Sequence, residues 1–235
     1  INPNVITMSS TKTAETTKLL ENVYRAVNIG LINELKEFTQ EINVDIYEII
    51  NAAASKPFGF MPFYPGPGVG GHCIPIDPYY LLWKAKEKGM TIKLIELAGK
   101  INASIPMNII NKLCKEFEQR KKSLKGSKIL ILGISYKKNI DDCRESPSLL
   151  IMNELIKRGV NVSYYDPFFK SVNCLDDQKK ILNCIELNHM NIRSQDCVLL
   201  LTDHDCFDYE LIKYNSKLII DTRGRFENSK NIIRG

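Results

Sequence analysis

The stretch Lys128-Ile-Leu-Ile-Leu132, continued by Gly133-Ile-Ser-Tyr-Lys-Lys-Asn and later by Ser146-Pro147, separates a β/α chain from a helical one. Four apolar residues in a row, stopped by glycine, are too few for a buried helix and suit a strand covered on both faces. Ser146 has the side-chain acceptor an N-cap needs and Pro147 fits the first helical position, so a helix opens there. The alternation continues with a strand over 160–165, a polar helical region near 176–184, a strand over 197–201, a short helix near 207–214 and a strand over 217–220. This order predicts a parallel, doubly wound sheet. Such sheets bind ligands at the carboxyl ends of their strands. The residues leaving those ends are Tyr136-Lys137-Lys138, Asp166-Pro167, Thr202-Asp203-His204 and Asp221-Thr222-Arg223. Lys137, Lys138 and Arg223 on one rim suit an anionic ligand such as a phosphate, the alternative being a solvated sheet edge.

Upstream the period changes. Residues 13–41 hold no proline and a single glycine, Gly30, and read as one long helix. At about 100° per residue, Leu19, Val23, Val27, Leu31 and Leu35 spread over more than one face. A helix that is apolar nearly all round is covered on several sides, as at a domain junction or a dimer core. Inside it Lys18, Asn22, Arg25 and Asn33 share an arc of roughly 80°, and polar groups in a buried helix need partners, in a salt-bridged stripe or in a ligand. Further helices are expected over 43–55, over 77–88 with Asp77 as N-cap and Pro78 at the first helical position, and over 91–124 with a kink near Pro106. The expected organisation is an all-helical unit, 1–124, and an α/β unit, 125–235, meeting at the basic stretch 121–127.

Of 235 residues, 44% are hydrophobic, 25% charged and 9% aromatic, which excludes collagen-like, coiled-coil and disordered classes. No apolar run approaches the ~20 residues of a membrane span. The net charge of +5, spread over 32 basic and 27 acidic residues, suits an anionic small molecule and comes with no nucleic-acid-binding motif. Cysteines stand at 73, 114, 143, 174, 184, 197 and 206. An odd number without C-x-x-C argues against a disulfide framework or a zinc ribbon, and free thiols imply a reducing compartment, most simply the cytoplasm.

Gly66-Pro-Gly68-Val-Gly70-Gly71-His72-Cys73 contains a literal G-x-G-x-x-G. The dinucleotide motif needs a strand before it and a helix after it, and prolines at 57, 62, 65, 67 and 75 deny it both. The better account is a glycine loop that brings backbone close to a ligand and presents Cys73 just before a helix, where the helix N-terminus and nearby lysines favour a thiolate. The bland alternative is a packing cysteine beside a capping aspartate.

Three segments, Ala14-Glu-Thr-Thr-Lys18-Leu-Leu-Glu-Asn22, Gly66 through Pro78, and Gly133-Ile-Ser-Tyr-Lys137-Lys-Asn-Ile-Asp-Asp-Cys-Arg144-Glu-Ser, closely resemble the UDP-glucose/GDP-mannose dehydrogenase family. Residues 56–64 are similar to its UDP-N-acetylglucosamine 6-dehydrogenase branch. The resemblance covers nearly the whole chain but not the family's N-terminal Rossmann domain, so it implies a helical dimerisation domain and a UDP-sugar-binding domain without the main NAD site, and no activity from this part alone. It further implies oxidation of the sugar C6 alcohol to a carboxylate with two NAD+, in the cytoplasm and commonly for surface polysaccharides. Cys73 would form a thiohemiacetal and then a thioester. Lys18 and Asn22 would hold the oxyanion, and Asp77 would orient water or Lys18. Tyr64, Gly70, Gly71, Tyr136, Lys137 and Arg223 would bind the UDP-sugar, Arg223 being preferred to Arg225 because it leaves its strand first. Arg144 would approach the NAD diphosphate, and no metal is implied. UDP-N-acetylmannosamine, UDP-N-acetylgalactosamine and UDP-glucose are the alternative substrates, and a sugar-nucleotide-binding module without activity is the alternative function.

Overall fold

A computed structural model describes residues 5–173 and 181–235. Helix α1 (Thr11–Glu41) starts where Ser10 Oγ accepts the Thr13 amide, and it lies along α4 (Lys93–Gln119), the Ala98 side chain coming within 3.5 Å of the space a Cβ on Gly30 would take. Between them in sequence come α2 (Ile46–Ala54), capped by Asp45, and α3 (Asp77–Glu87), which packs on both long helices. The long helix agrees with its pattern, but its polar arc divides. Asn22 and Asn33 are buried, whereas Lys18 and Arg25 are exposed. For Lys18 the reason is its place in the first turns of α1, where residues 11–18 are all exposed; Arg25 lies between buried Val23 and Ala26 but on the exposed face. The apolar side chains divide too. Val23 and Ala26 are buried, while Leu20, Tyr24, Leu31, Leu35 and Phe38 form an exposed stripe.

Helix α4 runs through Pro106 as one element, and its second half leaves the helical part. Ile105, Ile109, Ile110, Leu113 and Phe117 belong to the core of the α/β part, so 121–127 marks a change of pattern and not a break in packing. Beyond it come β1 (Lys128–Leu132), α5 (Pro147–Lys157), β2 (Asn161–Tyr165), the short β3 (Ser171–Asn173) and β4 (Ile181–Asn183), α6 (His189–Arg193), β5 (Cys197–Leu200), α7 (Tyr209–Asn215), β6 (Ile219–Asp221) and β7 (Ile232–Arg234). Five strands form a parallel sheet in the order β2-β1-β5-β6-β7. The apolar run of β1 is explained by its two faces: Ile129 and Ile131 pack under α4 and α5, Leu130 and Leu132 on the side of α6 and α7.

Several short elements depart from the sequence pattern, β3 among them. Residues 181–183 form a strand paired antiparallel with β3, not helix, and the rest of the helical region expected near 176–184 lies mostly outside the described residues. Helix α6 and strand β7 were not expected; the first has five residues and the second three, too short for periodicity to register. From β1 the chain steps to β2 on one side and later to β5 on the other, so the strand order reverses between β1 and β5. There Gly133 (φ 80°) passes so close to the next loop that a Cβ would lie 2.4 Å from the Thr202 carbonyl oxygen. This is the crevice where open α/β sheets hold ligands.

Candidate active site

Residues 61–76 carry no helix or strand and run along the carboxyl ends of the sheet strands. The segment is clamped at two points. At one, the Gly66 amide donates to Asn33 Oδ1 at 3.2 Å, and a Cβ on Gly66 would lie 2.8 Å from Arg223 Nη1. At the other, the Gly71 amide donates to the Arg144 carbonyl at 3.0 Å, with φ at 82° and a Cβ position only 2.9 Å from the Tyr136 ring. Gly70 is as tight, 2.6 Å from Tyr136 Cβ. The space these two glycines leave is therefore filled by Tyr136. The loop joins the Arg223 side of the rim to the Tyr136 side and delivers Cys73 two residues later.

Beyond the loop the chain turns into α3. The amides of Ile76 and Asp77 both donate to the Cys73 carbonyl, at 3.2 and 2.8 Å. Asp77 is thus the first helical residue and not the N-cap expected from its place before Pro78; Ile76 holds the cap position, with helical backbone angles and no side-chain bond. Because the 73–76 turn already supplies acceptors, the Asp77 carboxylate is free to point across to α1. There Oδ2 accepts from Asn22 Nδ2 at 2.5 Å, and Asn22 is 1% exposed. Lys18 lies one turn earlier on the same face, about 6 Å along the axis; it is exposed and pairs with Glu21 at 3.2 Å, not with Asp77. The Cys73 thiol is exposed, whereas burial pushes the thiols of Cys143, Cys184 and Cys197 above their ordinary value. Tyr79, Tyr80 and Trp83 line an open cavity of about 370 Å³ with Pro75 and Ile76, on the flank of α3 next to this turn.

On the sheet rim the expected residues occupy different roles. Lys137 is exposed at the tip of its loop, with no ion pair among the described residues, while Lys138 is held by Asp205 at 3.1 Å. Arg223 is no free rim cation. Its Nε donates to the Leu201 carbonyl at 2.6 Å, its side chain is 22% exposed, and desolvation pulls the guanidinium below its ordinary value against the pull of Asp203. Only its Nη end faces the glycine loop. Tyr64 reaches this corner indirectly: it stacks on Tyr47 at 6.3 Å and bonds Asn51, and Tyr47 donates to the Thr222 carbonyl. Arg144 is exposed and forked onto Asp142, which first, and then Tyr136 and Cys73, hold its guanidinium above the ordinary value.

The sequence reading placed Asp166, His204 and Asp221 at strand ends without a role. Each anchors a rim loop. Asp166 Oδ2 accepts from the Ile134 and Ser135 amides at 2.8 and 3.1 Å, and His204 Nε2 stands 3.1 Å away. Burial pushes the Asp166 carboxyl up, but the bonds from His204, Phe168 and Ile134 outweigh it and hold the group low. Asp221 gathers the amides of Arg223, Gly224 and Phe226. An aspartate leaving a strand end was the available signal. The G-x-G-x-x-G of residues 66–71 lies in a segment without helix or strand, not between a strand and a helix as in the dinucleotide motif.

Two family models match the chain: the UDP-glucose/GDP-mannose dehydrogenase family, central domain, over residues 12–104, and the UDP binding domain of the same family over residues 130–228. A UDP-N-acetyl-D-mannosamine dehydrogenase of Methanococcus maripaludis is 36% identical over 233 residues, covering 94% of this chain and 50% of the relative. A UDP-N-acetyl-D-glucosamine 6-dehydrogenase of Pseudomonas aeruginosa is 34% identical over 169 residues, covering 72% and 40%. Among solved structures, a UDP-D-ManNAc dehydrogenase from Pyrococcus horikoshii superposes with a TM-score of 0.82 at 32% identity, over 97% of this chain and 52% of that one. The chain spans about half the length of the curated relatives it matches.

Proposed function

Since the chain belongs to the UDP-glucose/GDP-mannose dehydrogenase family, we propose that it carries the thiol and the UDP-binding rim of an enzyme that oxidises the C6 alcohol of a UDP-N-acetylhexosamine to a carboxylate. The observation that carries the reading is one glycine loop joining exposed Cys73, the Asn22–Asp77 pair and the Lys137 and Arg223 side of the rim. The helical part, 1–124, supplies the reacting groups, and the α/β part, 125–235, holds the nucleotide.

The C6 alcohol first gives up its hydroxyl proton to water and a hydride from C6, leaving the aldehyde; the Cys73 thiolate then adds to it, forming a C–S bond as the carbonyl electron pair moves onto oxygen. Asn22 Nδ2, buried and fixed by Asp77, is the preorganised donor for that oxygen, and Lys18 swings from Glu21 to neutralise it. Loss of hydride from C6 leaves a thioester, which water opens to the carboxylate and the free thiol. NAD+, when bound, would accept the hydride of each of the two oxidations, one molecule per hydride, with Arg144 offered to its diphosphate. Lys137 and the Nη end of Arg223 hold the UDP phosphates, and Gly70 and Gly71 admit the Tyr136 ring, which closes the sugar side of the loop. Tyr64 braces the Arg223 corner through Tyr47.

For the sugar, the likeness of 56–64 favours UDP-N-acetylglucosamine, whereas several relatives are named for UDP-N-acetylmannosamine. The two differ at C2, and we place the mannosamine form first and the glucosamine form second. The exposed stripe of α1 is proposed to pair with a second copy, and the free thiols fit a reducing compartment such as the cytoplasm. Among the described residues no helix is long and apolar enough to cross a membrane.

Calorimetric titration of the chain with UDP and both UDP-sugars tests the nucleotide half, and no binding at millimolar concentration refutes it. In a protein joined to its cofactor-binding half, Cys73→Ala abolishes four-electron turnover. Cys73→Ser leaves a slow sugar ester on residue 73, visible by mass spectrometry. Near-normal turnover in the alanine variant refutes the covalent route.

A further inference from the structure

The loop that carries Tyr136 and Lys137 is tied at its far end by a histidine that touches no solvent. His204 is 0% exposed, with Phe168 and Phe207 packed against its ring at centroid distances of 5.3 and 5.2 Å. Its Nδ1 accepts the backbone amide of Asn139 at 3.0 Å. An accepting Nδ1 carries no proton, so Nε2, 3.1 Å from Asp166 Oδ2, is the N–H donor. One neutral tautomer thus links two loops. Asn139 sits at φ 60°, a region asparagine tolerates, and its side chain makes two bonds to Asp205, accepting the amide at 3.0 Å and donating to the carboxylate at 2.5 Å. The near end of the loop is held by Asp166, which His204 Nε2 bonds and which takes the Ile134 and Ser135 amides, and within the loop Ser135 Oγ donates to the Ile140 carbonyl at 2.9 Å and the Tyr136 amide to the Asp142 carbonyl at 3.1 Å. Lys137 stands in the turn between these two sets of bonds.

We propose that His204 is a positioning residue for the anion-binding rim, fixing the turn of residues 136–139 through the Asn139 amide so that Lys137 faces the nucleotide phosphates. The inference rests on the reading of this rim as a UDP site. A role in the core alone needs only the bulk of the ring and the bond to Asp166. The second nitrogen instead binds the backbone of an exposed loop, and nothing in the core requires it there.

The two ring nitrogens can be removed separately. His204→Asn keeps an acceptor near the place of Nδ1, and His204→Gln keeps a donor near that of Nε2. Two quantities are read: the UDP dissociation constant of the folded chain, by calorimetry, and exchange of the Asn139 amide, by NMR. In His204→Asn the amide stays protected and UDP binds within about twofold of the parent; in His204→Gln the amide exchanges freely and affinity falls about five- to tenfold, the loss of one hydrogen bond. The proposal is overturned if His204→Gln binds UDP like the parent, or if both variants weaken binding equally. His204 is in the core, so the surface variant Asn139→Gly is a third reading. It suits the backbone angle and keeps the amide that His204 accepts while dropping both side-chain bonds to Asp205, so it should weaken UDP less than His204→Gln does; a fall as large or larger would make Asp205 the anchor and overturn the proposal. A parent chain that fails to bind UDP refutes the rim reading, while protection of the Asn139 amide in His204→Gln refutes the anchor by itself.

Discussion

Removing the Asn22 amide should separate the two long-range partners on which the thiol end of the site depends. Asn22 is almost fully buried on α1, and its Nδ2 stands 2.5 Å from Asp77 Oδ2 on α3, 55 positions away in sequence. A hydrogen bond to a charged group contributes about 1.5–3 kcal/mol, and its loss leaves a half-buried carboxylate without that donor. Asn22→Ala should therefore lower Tm by roughly 3–12 °C for a chain of this size. Asp77→Ala should cost a similar amount, and the double variant should cost little more than either, a coupling of about 1.5–3 kcal/mol. Urea unfolding of the four proteins measures the cycle. In a protein with its cofactor-binding half, Asn22→Ala should also lower turnover by roughly 10²-fold, the effect of losing one oxyanion donor. Additive single effects, with coupling below about 0.5 kcal/mol, would show that α1 and α3 are held by apolar packing and that the pair is incidental.

Lys36 is buried and donates to the Gly235 carbonyl, and burial, then Lys112, lower its pKa from 10.5 to about 8. The unfolded chain thus binds more protons between about pH 8 and 10.5, so the Lys36 contribution to stability rises with pH across that window, by ~3 kcal/mol. At pH 7 the fold bears that penalty, and Lys36→Met, losing one bond, should gain about 1–2 kcal/mol, with the gain fading toward pH 10; a destabilised variant at pH 7 argues the opposite. Gly71→Ala, at φ 82° and against the Tyr136 ring, should cost about 1–2 kcal/mol in backbone strain alone and weaken UDP binding, read by thermal melts and calorimetry. Leu31→Glu with Phe38→Glu should convert a dimer to monomers in sedimentation, and a monomeric parent at micromolar concentration removes the dimer reading.

How much of this was legible in the sequence follows the range of the interactions. The strand Lys128–Leu132 and the helix start at Ser146-Pro147 stand as read, because each depends on neighbours a few residues away: two covered faces, one hydroxyl, one fixed φ. Asp77 was misread as a cap for the converse reason. A capping aspartate and an aspartate aimed at another helix look alike in sequence, and the choice was made by the 73–76 turn, whose carbonyl had already taken the amides. Lys18 is placed inside a covered helix by periodicity, which cannot tell where along a 31-residue helix its neighbours stop, and Arg25 is exposed beside buried Val23 and Ala26 because the helix is covered on one face only there. The rim shows the same limit most clearly. Counting cations at strand ends gave Lys137, Lys138 and Arg223 equal weight, yet Asp205 holds the second and the Leu201 carbonyl takes one side of the third. What leaves Lys137 as the available charge is a set of bonds between residues about 65 positions apart, from Asn139 to His204 and Asp205. On the proposed reading, phosphate binding at this rim depends on the uncharged loop anchors as much as on the cations, and His204→Gln should weaken it while leaving every rim charge in the sequence.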